Sequence, residues 1–220
     1  MTAASTREPA RPSRGRRGSR PSGDDRELAI LTTAERLLAE RPLNEISIDD
    51  LARGAGISRP TFYFYFRSKD AVLLSLLDRV VAEADRASDE IAHGTGPMRD
   101  PAGQWRAVIA AFYRTFSSRR HVAIAAAQLA ASNSEVREMW SAVLGGWARR
   151  TAQVIQAERD RGAAPQGIPA EQLAVALNLM NERTMFATFA GEQPGLPEGD
   201  VVDVLLHVWL TSIYGTTDPS

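Results

Sequence analysis

The sequence has no cysteine, which removes disulfides, thiolate metal sites and cysteine nucleophiles together. No apolar run reaches the ~18 residues that a membrane helix needs. The longest candidate, residues 122–131, is broken by Gln128 and preceded by Arg119, Arg120 and His121. The N-terminus is rich in arginine, but no apolar stretch follows it. The Arg16-Arg17 pair therefore does not read as an export signal. There is no period-two strand pattern and no internal repeat of roughly 20–50 residues. A glycine-rich phosphate loop, a catalytic triad pattern and metal-ligand spacing are all missing too. His93, His121 and His207 fall on separate segments. These absences argue against an enzyme, and no cofactor or metal is expected. The chain reads as soluble and cytoplasmic, with no membrane partner.

What is present suffices for a folded core. The chain has 220 residues, of which 44% are hydrophobic, enough for one large domain or two small ones. The net charge of −1 hides an asymmetry. Residues 1–70 carry 12 Arg and 1 Lys against 10 acids, whereas residues 71–220 carry 13 basic residues against 17 acids. Six of the arginines (Arg7, Arg11, Arg14, Arg16, Arg17 and Arg20) lie within residues 1–23, alongside a single acid, Glu8. This segment has too few apolar side chains to offset its ordering entropy, so disorder is expected. Charge alone leaves two readings open: a polyanion contact or a solvated tail.

Helical punctuation follows. Ser22 with Asp25 starts a first helix, on which Leu28, Leu31, Ala34 and Leu38 recur with Ile30 and Leu37, and Pro42 stops it. Ser47 caps a second helix that ends at Gly54-Ala55-Gly56. Ser58 caps a third with Pro60 in its opening turn, and Ser68 caps a long fourth running to about Ala92. The Pro/Gly-rich stretch 93–103 reads as a loop. Five more helices are expected at 104–117, 119–132, 134–161, 170–190 and 198–214. The fold class is all-α with nine helices. The expected organisation is an arm (1–23), a first helical unit (24–68) and a second (69–220).

The informative stretch is 46–77. Two short helices joined by a tight glycine turn make a helix-turn-helix, whose second helix enters the major groove by its N-terminal end. Ile57, Phe62 and Phe66 can face the core. That leaves Ser58, Arg59, Thr61, Tyr63, Phe64 and Tyr65 as candidate DNA-contacting residues. Three aromatics in a row, Phe62-Tyr63-Phe64, cannot all be buried on one helix. The Tyr63 and Tyr65 hydroxyls suit phosphate oxygens. Lys69, at the start of the next helix, adds a charge beside free backbone N–H groups.

The string Ile48-Asp49-Asp50-Leu51-Ala52, Ala55-Gly56-Ile57-Ser58, Thr61-Phe62-Tyr63-Phe64-Tyr65-Phe66 and Ser68-Lys69-Asp70 resembles the TetR family of one-component bacterial repressors. The resemblance implies a homodimer on a near-palindromic, double-stranded operator and a second domain that senses a small molecule. The later stretches Ala176-Leu177-Asn178-Leu179-Met180-Asn181-Glu182-Arg183-Thr184 and Trp209-Leu210-Thr211-Ser212-Ile213-Tyr214-Gly215 are similar to the ethionamide-resistance branch of that family. That branch represses a flavin monooxygenase gene whose product activates ethionamide. The likeness departs at 86–104, Gly145-Gly146, Arg149 and Arg150.

Aromatics of the second half recur on single helix walls: Trp105, Phe112 and Phe116 at spacings of seven and four, and Trp140 and Trp147 at seven. Periodicity alone fits an ordinary core. Asn178 and Asn181 add two amides on one face of an apolar run, costing about 1–3 kcal/mol each if buried without partners. They can pair with each other, with water or with a ligand carbonyl, and an apolar cavity with a few polar anchors suits a small molecule. The resemblance places a tunnel for an elongated hydrophobic effector at Trp105, Phe112, Trp147, Asn178, Asn181, Phe186 and Trp209. Phe116 joins them by spacing. Arg150 stands where that branch has an aromatic at the pocket edge.

The last two helices carry apolar residues on more than one face, Leu173, Leu177 and Met180, then Val201, Val204, Leu205 and Val208. A two-fold four-helix bundle would cover the spare face, with His207 as a hydrogen-bonded interface residue. Two alternatives stand beside the repressor: a helical small-molecule carrier with an incidental basic hairpin, and a TetR-type regulator of another target or of activating sign.

Overall fold

The computed structural model describes residues 22–92 and 100–219. The arginines of the N-terminal arm and His93 lie outside the described residues. Nine α-helices and one 3₁₀ turn are present among those described, and no strand. The all-α expectation holds.

Helix α1 (Gly23–Glu40) begins at a reciprocal cap. Ser22 Oγ accepts from the Asp25 amide at 3.1 Å, and the Ser22 amide donates to the Asp25 carboxylate at 2.8 Å. These bonds hold the Asp25 carboxyl below its ordinary range. Ser22 thus caps the helix as its spacing to Asp25 suggests, and Gly23 is its first residue. Ile30, Leu31, Ala34, Leu37 and Leu38 form the buried stripe. Leu28, expected on that stripe, is 51% exposed. It shares a spacing with Leu31 but lies off the arc set by Ile30, Ala34 and Leu37.

Pro42 ends α1 in extended backbone and leads into an unanticipated 3₁₀ turn, Leu43–Glu45. Helix α2 (Ile48–Gly54) repeats the reciprocal cap with Ser47 and Asp50, and Ser47 likewise lowers the Asp50 carboxyl. The glycines that follow do different jobs. Gly56 has φ +67°, the left-handed region where a side chain is strained. Gly54 instead permits close approach: a Cβ there would stand 2.3 Å from Thr33 Cγ2 on α1.

Helix α3 (Arg59–Tyr65) is capped by Ser58. Helix α4 (Lys69–Ala92) starts where Ser68 Oγ accepts the Ala71 amide at 3.1 Å. Helices α5 (Pro101–Ser118), α6 (Arg120–Ala130), α7 (Ser134–Asp160), α8 (Ala170–Ala190) and α9 (Val201–Tyr214) complete the body. Helix α5 starts three residues earlier than its glycine and prolines suggest. Asp100 caps it by accepting the Gly103 amide at 2.8 Å, and Pro101 fills the first-turn position that lacks an amide partner anyway. Residues 198–200 close a turn on Pro197 rather than opening α9.

Helix α4 packs on α1, α5 and α6, α7 lies along α8, and α5 packs on α9. One continuous core runs from Ile30 to Tyr214. Polar struts tie α1, the α3–α4 corner and α4 to the starts of α6 and α7. Arg119 bridges Glu35 of α1 (3.0 Å) and Glu83 of α4 (3.3 Å), Asn133 donates to Asp70 at 3.1 Å, and Arg67 pairs with Glu135. No helix among the described residues is long and apolar enough to cross a membrane.

Candidate nucleic-acid interface and candidate ligand cavity

The Phe62-Tyr63-Phe64 run divides as helical geometry demands. Phe62 is fully buried and Phe66 nearly so, while Tyr63 is 46% and Phe64 84% exposed. Thr61 and Tyr65 are half-buried and Ile57 is only partly covered. Ser58 and Thr61 face each other, with hydroxyls 2.8 Å apart. Arg59 is exposed and tied back: Nη1 donates to Asp49 of α2 at 2.9 Å, and Nη2 lies 3.5 Å from the Tyr63 hydroxyl. The Tyr63 hydrogen bond, then the Asp49 charge, raise the Arg59 pKa further. Arg59 thereby joins the two helices of the motif.

Lys69, the single lysine of the chain, is positioned differently from the outward group. Its ammonium donates to the carbonyls of Leu43 (2.7 Å), Ile46 (3.0 Å) and Asn44 (3.4 Å). It ties α4 to the turn before α2. As a phosphate contact it would first have to release those carbonyls.

The body is hollow. A cavity of about 760 Å³ lies among α4 to α9, within the size range of small-molecule sites. All eight residues singled out from the sequence line it. Trp105 and Trp209 pack at 4.9 Å between ring centres, Phe112 on Trp147 at 4.8 Å, and Phe116 on Trp147 at 6.0 Å. Phe186 lies under the Arg183 guanidinium. Trp140 completes the group, so all four tryptophans of the chain face this space.

The two asparagines do not pair with each other. Asn178 Nδ2 donates to Thr151 Oγ1 (3.1 Å) and to the Ala174 carbonyl (2.9 Å), and Asn181 Oδ1 accepts from Trp209 Nε1 at 2.9 Å. Each amide is oriented by a neighbour, and its other end has no hydrogen bond among the described residues.

Several polar residues escaped sequence reasoning. Trp105 Nε1 donates to the Tyr214 hydroxyl at 3.2 Å, which donates to buried Glu158 at 3.1 Å; Glu158 also holds Arg161 at 2.6 Å. Burial pushes the Tyr214 phenol well up, so it stays a donor to this carboxylate. Asp85 of α4 accepts from Trp147 Nε1 at 2.8 Å and pairs with Arg150 of α7. Only the 158/161 pair had a local signal, its i,i+3 spacing; the rest are long-range contacts.

The faces of α8 and α9 also sort cleanly. Leu173, Leu177, Val201 and Leu205 are buried, Met180 and Val208 partly covered, and Val204 is 40% exposed. Val175 and Leu179, which the sequence reading passed over, are 47% and 49% exposed. His207 sits exposed on the same outer side of α9.

An outward third helix on a helix-turn-helix, carried by a hollow helical body, defines a DNA-binding regulator. A family model described as "Bacterial regulatory proteins, tetR family" matches residues 30–76, and one described as "Transcriptional regulator EthR, C-terminal domain" matches residues 105–215. The chain is 58% identical over 215 residues to the HTH-type transcriptional regulator EthR of Mycobacterium tuberculosis, covering 98% of this chain and 99% of that one. It is 53% identical to the EthR of Mycolicibacterium smegmatis, covering 98% and 96%. The crystal structure of NalD, the secondary repressor of the MexAB-OprM multidrug efflux pump in Pseudomonas aeruginosa, has the same fold. There the TM-score is 0.67 at 18% identity, over 88% of this chain and 98% of that one. The chain belongs to the TetR family, as an EthR-like transcriptional regulator. A regulator rather than an enzyme is what these likenesses support.

Proposed function

We propose that the protein is a ligand-released repressor that acts as a homodimer in the cytoplasm. Each protomer inserts α3 into the major groove of a near-palindromic operator, the half-sites one turn (~34 Å) apart. The observation that carries the reading is the split of the α3 aromatics, with Phe62 sealed in the core and Tyr63 and Phe64 held outward. Arg59 and Tyr65 flank them, and Ser58 and Thr61 fix the end that enters the groove. The exposed Val175, Leu179 and Val204 are the surface that a second copy covers, in a four-helix bundle about a two-fold axis. An elongated hydrophobic effector fills the cavity beside α4, moves that helix and changes the separation of the two heads. It acts through its different affinities for the two shapes. The target that the ethionamide-resistance resemblance implies is a flavin monooxygenase gene.

The test is a mobility-shift titration at fixed salt with DNA upstream of the protein's own gene. Binding that is lost on adding a long apolar ligand supports the reading; indifference to that DNA refutes it. Tyr63→Ala is expected to weaken operator binding about tenfold or more while the dimer stays folded.

A further inference from the structure

The cavity is not equally polar along its length. At one end lie buried Leu77, Phe116, Ala126 and Val136, with no charged side chain among them. At the other, where α4 ends, α5 begins and α7 passes its midpoint, the wall carries Ser88, Asp89, Gln104, Arg150 and Gln153. Asp89, Arg150 and Gln153 are exposed, so this end is the mouth. Such a space suits a linear amphiphile, tail inward and head at the opening.

The charges at the wall decide the kind of head. Its carboxylates are already engaged: Glu158 by Arg161 and Tyr214, Glu182 by Trp140 Nε1 at 3.4 Å, and Asp89 by partners of its own. Arg150 is the one cation among the described lining residues. It gives a single Nη2 hydrogen bond to Asp85 and is 49% exposed. A guanidinium has five N–H donors, so four make no hydrogen bond among the described residues. A guanidinium also takes a carboxylate in a two-pronged fork, which a hydroxyl cannot match.

We infer that the effector of this protein is a long-chain molecule ending in a carboxylate, and that Arg150 selects it by binding that group at the mouth of the cavity. This rests on the cavity being the effector site, and adds the ligand's chemical class. Asp85 is shared by Arg150 and Trp147, so a carboxylate arriving at Arg150 competes with the contact that fastens α4 to α7.

The four tryptophans all line the cavity and report its occupancy. Their fluorescence is to be titrated in the full-length protein with palmitate, hexadecanol and hexadecylamine, each below its micelle concentration at pH 8. The expected result is palmitate binding about tenfold tighter than hexadecanol, and hexadecylamine weakest of the three. Arg150→Met should remove the preference for palmitate over hexadecanol, and Arg150→Lys should restore part of it. Hexadecanol binding with palmitate no tighter overturns the inference while leaving the cavity as a ligand site. A palmitate preference that survives in Arg150→Met overturns it equally. If none of the three probes changes the fluorescence, the cavity is not an effector site, and the wider reading fails with the inference.

Discussion

The head and the body use aromatic side chains in opposite ways. Of the four α3 aromatics, Phe62 seals the core, Tyr65 is half-buried, and Tyr63 and Phe64 stand in solvent. In the body the rings turn inward and surround a void of about 760 Å³. The head has its helix starts capped, its turn glycine pressed against Thr33 and its basic groups tied down. It is built to hold one shape. The body keeps unfilled apolar volume that a guest can occupy. A close-packed region should resent any change of volume, and a hollow one should tolerate added mass.

The largest expected effect tests the packed side. Phe62→Ala removes a fully buried ring from the smaller unit. It should lower stability by about 3–5 kcal/mol, read by denaturant unfolding, and abolish DNA binding. Next, Gly54→Ala places a methyl 2.3 Å from Thr33 Cγ2. A loss of about 1–3 kcal/mol is expected, largely recovered in the double variant with Thr33→Ser. Failure of that recovery would mean the glycine is needed for something other than space. Ala127→Leu, in the cavity wall, should change stability by less than about 0.5 kcal/mol while weakening hexadecanol binding.

The smallest effect is acid sensitivity. Hydrogen bonding lowers the folded pKa of Asp25 and Asp50 through their capping serines, and Arg120 lowers that of Glu198. A carboxylate with a depressed folded pKa stabilises above its unfolded value and loses that contribution as pH falls through the folded one. Melting temperature should therefore hold flat near neutrality and fall below about pH 4. Ser47→Ala should flatten part of that fall by removing the hydroxyl that donates to the Asp50 carboxylate.

The helix starts were legible because caps are local: Ser22, Ser47 and Ser58 announce themselves within three residues. The cavity wall was legible through ring spacing and through resemblance to the family. What escaped were contacts between residues far apart in the chain. Nothing near Lys69 shows that its ammonium is held by carbonyls more than twenty residues earlier. Nothing near Asp85 announces Trp147 and Arg150, some sixty residues on. The 3₁₀ turn and the early start of α5 were missed because proline and glycine read as loop until the cap that uses them is seen.

The tethering of Lys69 has a practical consequence. A reagent that acylates amines finds one side-chain target in the whole protein, and that target is clasped by three backbone oxygens. Acylation of that nitrogen should therefore be slow in the intact head and accelerate when the turn before α2 opens. The rate would serve as a chemical clock for local fraying at the DNA-reading end.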